Sequence, residues 1–86
     1  MKVTKKYQTV EDFYVYPFME INNNSITISS KANTADEAID EFKSILGQGT
    51  AESDSFDYYL EESNINTVED VINALFDMIE EESEEY

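Results

Sequence analysis

The chain has no cysteine, no histidine and no tryptophan, only one proline and two glycines, and very little positive charge. Each absence closes a class of chemistry. Without cysteine there is neither a disulfide framework nor a thiolate metal site. Without histidine the commonest general base is missing, and Gly47 and Gly49 alone cannot make a glycine-rich phosphate loop. Carboxylates could act as acid and base, but only in a concave pocket that shifts their pKa values, which a small solvated acidic surface rarely builds. No apolar run approaches the roughly 20 residues that span a bilayer. The start, with Lys2, Lys5 and Lys6 leading into Tyr7, Gln8 and Thr9, lacks the apolar stretch of a signal peptide. These features predict a soluble cytoplasmic protein with no cofactor, no metal and no enzymatic activity.

What the chain does have is acid and aromatic rings. Twenty Asp and Glu stand against five Lys and Arg in 86 residues, for a formal net charge of −15. The imbalance is uneven, because 17 of those carboxylates and only one Lys (Lys43) lie from Asp36 onward. Such a field repels nucleic acid and acidic membranes and attracts basic protein surfaces, with strong salt dependence. A small domain needs only about 2–8 net charges for solubility, so the excess calls for another use. Yet 41% hydrophobic residues, with five Phe and six Tyr, are too many for a disordered acidic tail. One small acidic domain over residues 1–86 is expected, with residues 82–86 fraying.

Residues 12–21 (DFYVYPFMEI) are β-branched and aromatic and read as a strand. Within it Phe13, Val15 and Met19 share one face, and Tyr14, Tyr16 and Phe18 the other. Pro17 cannot donate to a ladder, which argues for an edge strand or a bulge. Asn22, Asn23 and Asn24 signal a turn, and Ile26 and Ile28 alternate with Ser25, Thr27 and Ser29 in a second strand. Residues 3–9 alternate more weakly as a possible third. Thr34 and Glu37 frame a capping box before Ala38, Ile39, Phe42, Ile45 and Leu46, and Gly47 stops that helix. Thr67 opens another, with Val68, Val71, Ile72, Leu75, Met78 and Ile79 as its apolar stripe. Residues 47–55 read as a loop, and 56–62 as either a short strand or a helical turn. The expected class is α+β: an N-terminal antiparallel hairpin or small sheet packed against two acidic amphipathic helices, in the order ββα-β/loop-α.

Two local likenesses are weaker. Thirteen residues from Thr34 align without a gap on thirteen from Thr67, but ordinary amphipathic helices with acidic first turns explain that as well as a duplication does. Glu52, Asp54 and Asp57 have a calcium-loop flavour without the Gly and the terminal Glu of an EF-hand. The segment from Ile65 to Asn73 resembles the last helix of an acyl carrier protein. However, Asp54, Ser55 and Phe56 sit too close to it to be that family's attachment motif.

The acidic helices carry the main functional signal. Carboxylates three or four residues apart share a helix face. From Glu69 to Glu85 there are eight, over roughly 25 Å at about 1.5 Å per residue. That is about one charge per 3 Å, against one per 3.4 Å in a DNA strand. The candidate partner-binding residues are Asp36, Glu37, Asp40, Glu41, Asp57, Glu69, Asp70, Asp77, Glu80 and Glu81, with Tyr58 and Tyr59 as aromatic anchors.

In size, acidity and lack of catalytic residues the chain resembles small phage-encoded inhibitors that act as DNA mimics, such as anti-CRISPR, antirestriction and uracil-glycosylase inhibitor proteins. The likeness is one of composition, with no diagnostic motif of a single family. It implies an inhibitor of a basic nucleic-acid-binding protein in the cytoplasm of a phage host, most specifically an anti-CRISPR that blocks DNA or PAM binding by a Cas effector. Such an effector holds its nucleic acid in a positively charged channel. The alternative is an acidic module that neutralises a basic partner, as an antitoxin or chaperone does, without imitating DNA. A halophilic housekeeping domain comes third.

Overall fold

A computed structural model describes residues 1–83. The order is β1 (Lys2–Lys6), β2 (Met19–Asn22), β3 (Ser25–Ser29), α1 (Ala35–Leu46), α2 (Ala51–Glu62) and α3 (Val68–Ser83), an α+β architecture. α3 extends through Glu82 to Ser83, and residues 84–86, the rest of the segment expected to fray, lie outside the described residues.

The sheet runs β1-β3-β2 and is antiparallel throughout. Register follows from polarity. Val3 and Met19 flank Ile28, and Lys5 and Ile21 flank Ile26, so one face gathers the apolar side chains. Ile26 and Ile28 are fully buried there. The opposite face carries Lys2, Thr4, Lys6, Glu20, Asn22, Ser25, Thr27 and Ser29, with a 2.6 Å bond between the Thr4 and Thr27 hydroxyls. An antiparallel sheet with one face on the core and one in water needs this alternation.

A two-residue turn joins β2 to β3, and Asn23 takes φ 56° there. Asn accepts this left-handed conformation more readily than other non-glycine residues. Asn23→Val should therefore cost about 1–2 kcal/mol, read as a lower urea midpoint with an unchanged slope.

The aromatic segment before β2 corrects the expectation of a long strand. Only Met19–Asn22 pairs, while residues 7–18 form an irregular loop. Phe13, Tyr16 and Phe18 are buried, and Tyr14, Val15 and Pro17 face solvent, which fits neither alternating face. The rings provide burial instead of strand pairing. Pro17 sits second in a turn closed by the Met19 N–H on the Tyr16 carbonyl at 3.0 Å, where its fixed φ suits the geometry.

The second correction is α2. Residues 51–62 are one helix, and only residues 47–50 connect it to α1. Thr50 caps it by accepting from the Ser53 N–H at 3.1 Å. Three helices therefore follow the sheet. The third is the hub, since α3 packs on α1, α2 and β1 and buries Val71, Ile72, Ala74, Leu75, Phe76, Met78 and Ile79. No buried side-chain polar atom among the described residues lacks a hydrogen-bond partner.

Candidate functional site

The acidic residues divide into those that hold the fold and those left at the surface. In α1, Thr34 accepts from the Glu37 N–H at 3.2 Å, and its hydroxyl also meets the Glu37 carboxylate at 3.2 Å. Asp36 and Asp40 are exposed with no bond or ion pair among the described residues. Glu41 turns inward: it accepts from the Ser30 hydroxyl at 2.6 Å and the Lys31 N–H at 3.4 Å, tying α1 to the end of β3. Acids in the first turn also suit the positive end of the helix dipole.

In α2, Asp57 pairs with Lys43 of α1 at 2.6 Å. Tyr58 is exposed, while Tyr59 packs partly against the core, edge-on to Tyr58 at 5.2 Å. Sequence reasoning missed Glu52, Asp54, Glu61 and Glu62 as members of a helical acidic surface, because it did not read residues 51–55 as helix. Thr50 followed by acids at 52 and 54 was the available signal.

In α3 the expected continuous row is broken. Glu69 and Asp70 lie at its start and Asp77 and Glu80–Glu82 near its end, separated by six uncharged residues, Val71 to Phe76, of which all but Asn73 are buried. At about 1.5 Å per residue that gap is roughly 10 Å. Several of these acids also have internal roles. Asp70 accepts from the N–H groups of Asn66 at 2.9 Å and Thr67 at 3.0 Å, which hold its carboxyl below the usual range. Glu80, only 13% exposed at its side chain, accepts from the Tyr7 hydroxyl at 2.6 Å and meets Lys5 at 3.7 Å. The Lys5 stem crosses the inner sheet face with its ammonium 5.1 Å from the Phe76 ring centre. Glu41, Asp57, Asp70 and Glu80 are thus fixed within the fold, whereas Asp36, Asp40, Glu69, Asp77 and Glu81 have no bond or ion pair among the described residues.

Local electrostatics follow. Partial burial, then Glu80, raise the Asp77 carboxyl above its ordinary value, against the opposing pull of Lys5. Burial raises Glu82, the Tyr16 bond opposes this, and Glu52 and Glu81 raise it further. The Tyr16 hydroxyl donates to both Glu82 oxygens at 3.0 Å, and burial followed by that carboxylate pushes its pKa well up. The outer sheet face forms an open depression of about 600 Å³ lined by Thr4, Lys6, Tyr7, Asn24 and Thr27 among others. Small-molecule sites are mostly apolar and enclosed, and this depression is neither.

Comparison with protein-family models, curated proteins and solved structures finds no match to this chain. No helix among the described residues is long and apolar enough to cross a membrane.

Proposed function

We propose that the chain is a non-enzymatic inhibitor that binds the basic nucleic-acid-binding surface of a DNA-processing enzyme in the cytoplasm. The most specific form is an anti-CRISPR that blocks DNA or PAM binding by a Cas effector. One observation carries this reading. Carboxylates with no internal partner stand on all three helices, while the described residues contain only two ion pairs, Lys5–Glu80 and Lys43–Asp57. Charge left unpaired across a whole helical layer costs stability through self-repulsion. A partner that presents Arg and Lys relieves that cost through charge-assisted hydrogen bonds.

The gap in α3 favours a second reading, an acidic module that neutralises a basic partner without copying the spacing of phosphates. Competition assays separate the two. DNA binding by guide-loaded Cas effectors is titrated with the wild type and with Asp36→Asn, Asp40→Asn, Asp77→Asn and Glu81→Gln singly. A mimic should lose about tenfold or more at particular positions, the effect of removing a hydrogen bond to a charged group. A neutraliser should respond equally to every substitution. Asp70 is a poor test position, because its removal also uncaps α3.

A further inference from the structure

We propose that Tyr14 and Val15, exposed side by side on the loop over residues 7–18, are the anchor that inserts into an apolar notch on the basic partner. This rests on the reading given under Proposed function and deepens it: the helical acids steer association, while this loop supplies the short-range binding energy.

Neither side chain belongs to the core. Tyr14 is 67% exposed and Val15 59%, the two most exposed large hydrophobic residues among those described. The loop is anchored by their neighbours instead, since Phe13, Tyr16 and Phe18 are buried. An isolated exposed apolar residue is ordinary, but two adjacent ones on a braced loop form a patch.

The bracing is specific. The Tyr14 ring lies 4.8 Å from that of Tyr16, which stacks on Phe18 at 5.2 Å and 9°. Phe18 in turn meets Phe42 of α1 edge-on at 5.2 Å. The Tyr16 hydroxyl is held by Glu82 of α3. Tyr14 is therefore presented by a ring stack that continues into the core. A residue held in this way loses little conformational freedom on binding, which is what makes an aromatic anchor effective.

Charge identifies the occupant. Glu11 and Asp12 precede Tyr14 in the loop and are exposed, and the Tyr16 hydroxyl is bonded to Glu82 and also feels the charge of Glu52. Glu81 joins them through its repulsion of Glu82. Carboxylates of the loop (Glu11, Asp12) and of α3 (Glu82, bonded to the Tyr16 hydroxyl on whose ring Tyr14 packs) thus neighbour the exposed apolar pair. A basic protein surface with an apolar notch complements such a patch, by apolar contact at the centre and paired charges at the rim. A second copy of this chain would bring two acidic rims together, and like charges across an interface cost several kcal/mol.

The test compares the wild type, the double variant Tyr14→Ser with Val15→Ser, and Tyr14→Phe. Each is titrated against a panel of guide-loaded, DNA-targeting Cas effectors. For an effector that binds the wild type, the double variant should bind about thirtyfold more weakly, as hot-spot loss does, through faster dissociation. Tyr14→Phe should bind like the wild type, because the ring supplies the contact. The double variant's melting temperature should stay within about 4 °C, since surface substitutions rarely matter more. Double-variant binding within about twofold of the wild type would overturn the inference and leave the inhibitor reading standing. If the wild type binds no effector in the panel, the anti-CRISPR form of the reading fails and takes the inference with it. A wild-type dimer that the double substitution dissociates would also overturn it, by showing that a second copy occupies the patch.

Discussion

Phe42→Ala should leave the chain largely unfolded at low salt. Phe42 is fully buried and joins three parts of the molecule: it belongs to α1, meets Phe18 of the loop edge-on, and meets Phe56 of α2 edge-on at 6.4 Å. A buried Phe→Ala change costs about 3–5 kcal/mol. A domain of 86 residues has roughly 4–13 kcal/mol in total at 0.05–0.15 per residue. A net charge of −15 places this chain toward the lower end of that range. Far-UV circular dichroism at low and high salt would check it, with high salt restoring part of the helical signal. A cooperative melt close to the wild type at low salt would show that this junction does not hold the fold together.

The melting temperature should rise, not fall, as pH drops from 7 toward about 5. The Asp77 and Glu82 carboxyls lie above their ordinary values in the folded chain. A carboxyl raised on folding contributes stability that is present below its unfolded value, near 4, and lost as pH climbs through the folded value. Protonating these two groups therefore favours the fold. Asp70 has the opposite sign: its depressed carboxyl supports the fold above about pH 4 and stops doing so as pH falls through the lower folded value. The stability maximum should therefore lie above about pH 4, where Asp70 is still ionised, and below the raised folded values of Asp77 and Glu82. Salt at pH 7 should act in the same direction, because the Debye length contracts from about 30 Å at 0.01 M to about 3 Å at 1 M. A gain on the order of 10 °C is expected if repulsion is relieved by about 2 kcal/mol. The pI is about 4.1, so the scan is best run on dilute protein. A profile that is flat between pH 5 and 7 and insensitive to salt would contradict this account.

These electrostatic features were only partly legible in the sequence, and the reasons are physical. α1 and α3 could be read because each joins a Thr cap to an apolar stripe of helical period. The β2–β3 hairpin could be read because Asn residues punctuate alternating Ile and Ser. α2 has no such stripe: Ser53 and Phe56 are its only buried residues, and Ser and Asp elsewhere favour loops. The loop over residues 7–18 misled because bulky aromatics signal burial, which strand formation is only one way to achieve. The gap in the acids of α3 is legible in the sequence, since residues 71–76 contain none, and counting carboxylates evenly from Glu69 to Glu85 averages it away. Once α3 becomes the hub, its middle turns cannot carry charge, and Glu80 gains Tyr7 and Lys5 as partners. Thr34 and Glu37 gave the start of α1 correctly, whereas the inward turn of Glu41 depends on Ser30, eleven residues away.

The uneven placement of lysine bears on how the chain should be handled. Lys2 and Lys6 project from the outer sheet face and Lys31 is exposed just beyond β3, whereas Lys5 and Lys43 are engaged in ion pairs. Amine-directed immobilisation will therefore grip the molecule mainly by its sheet and leave the helices toward the bulk solution. A biosensor surface prepared in this way keeps Asp36, Asp40 and Glu81 accessible. The same coupling would silence any ligand of the sheet face, so comparing amine-coupled with carboxyl-coupled surfaces tells the experimenter which side of the molecule is occupied.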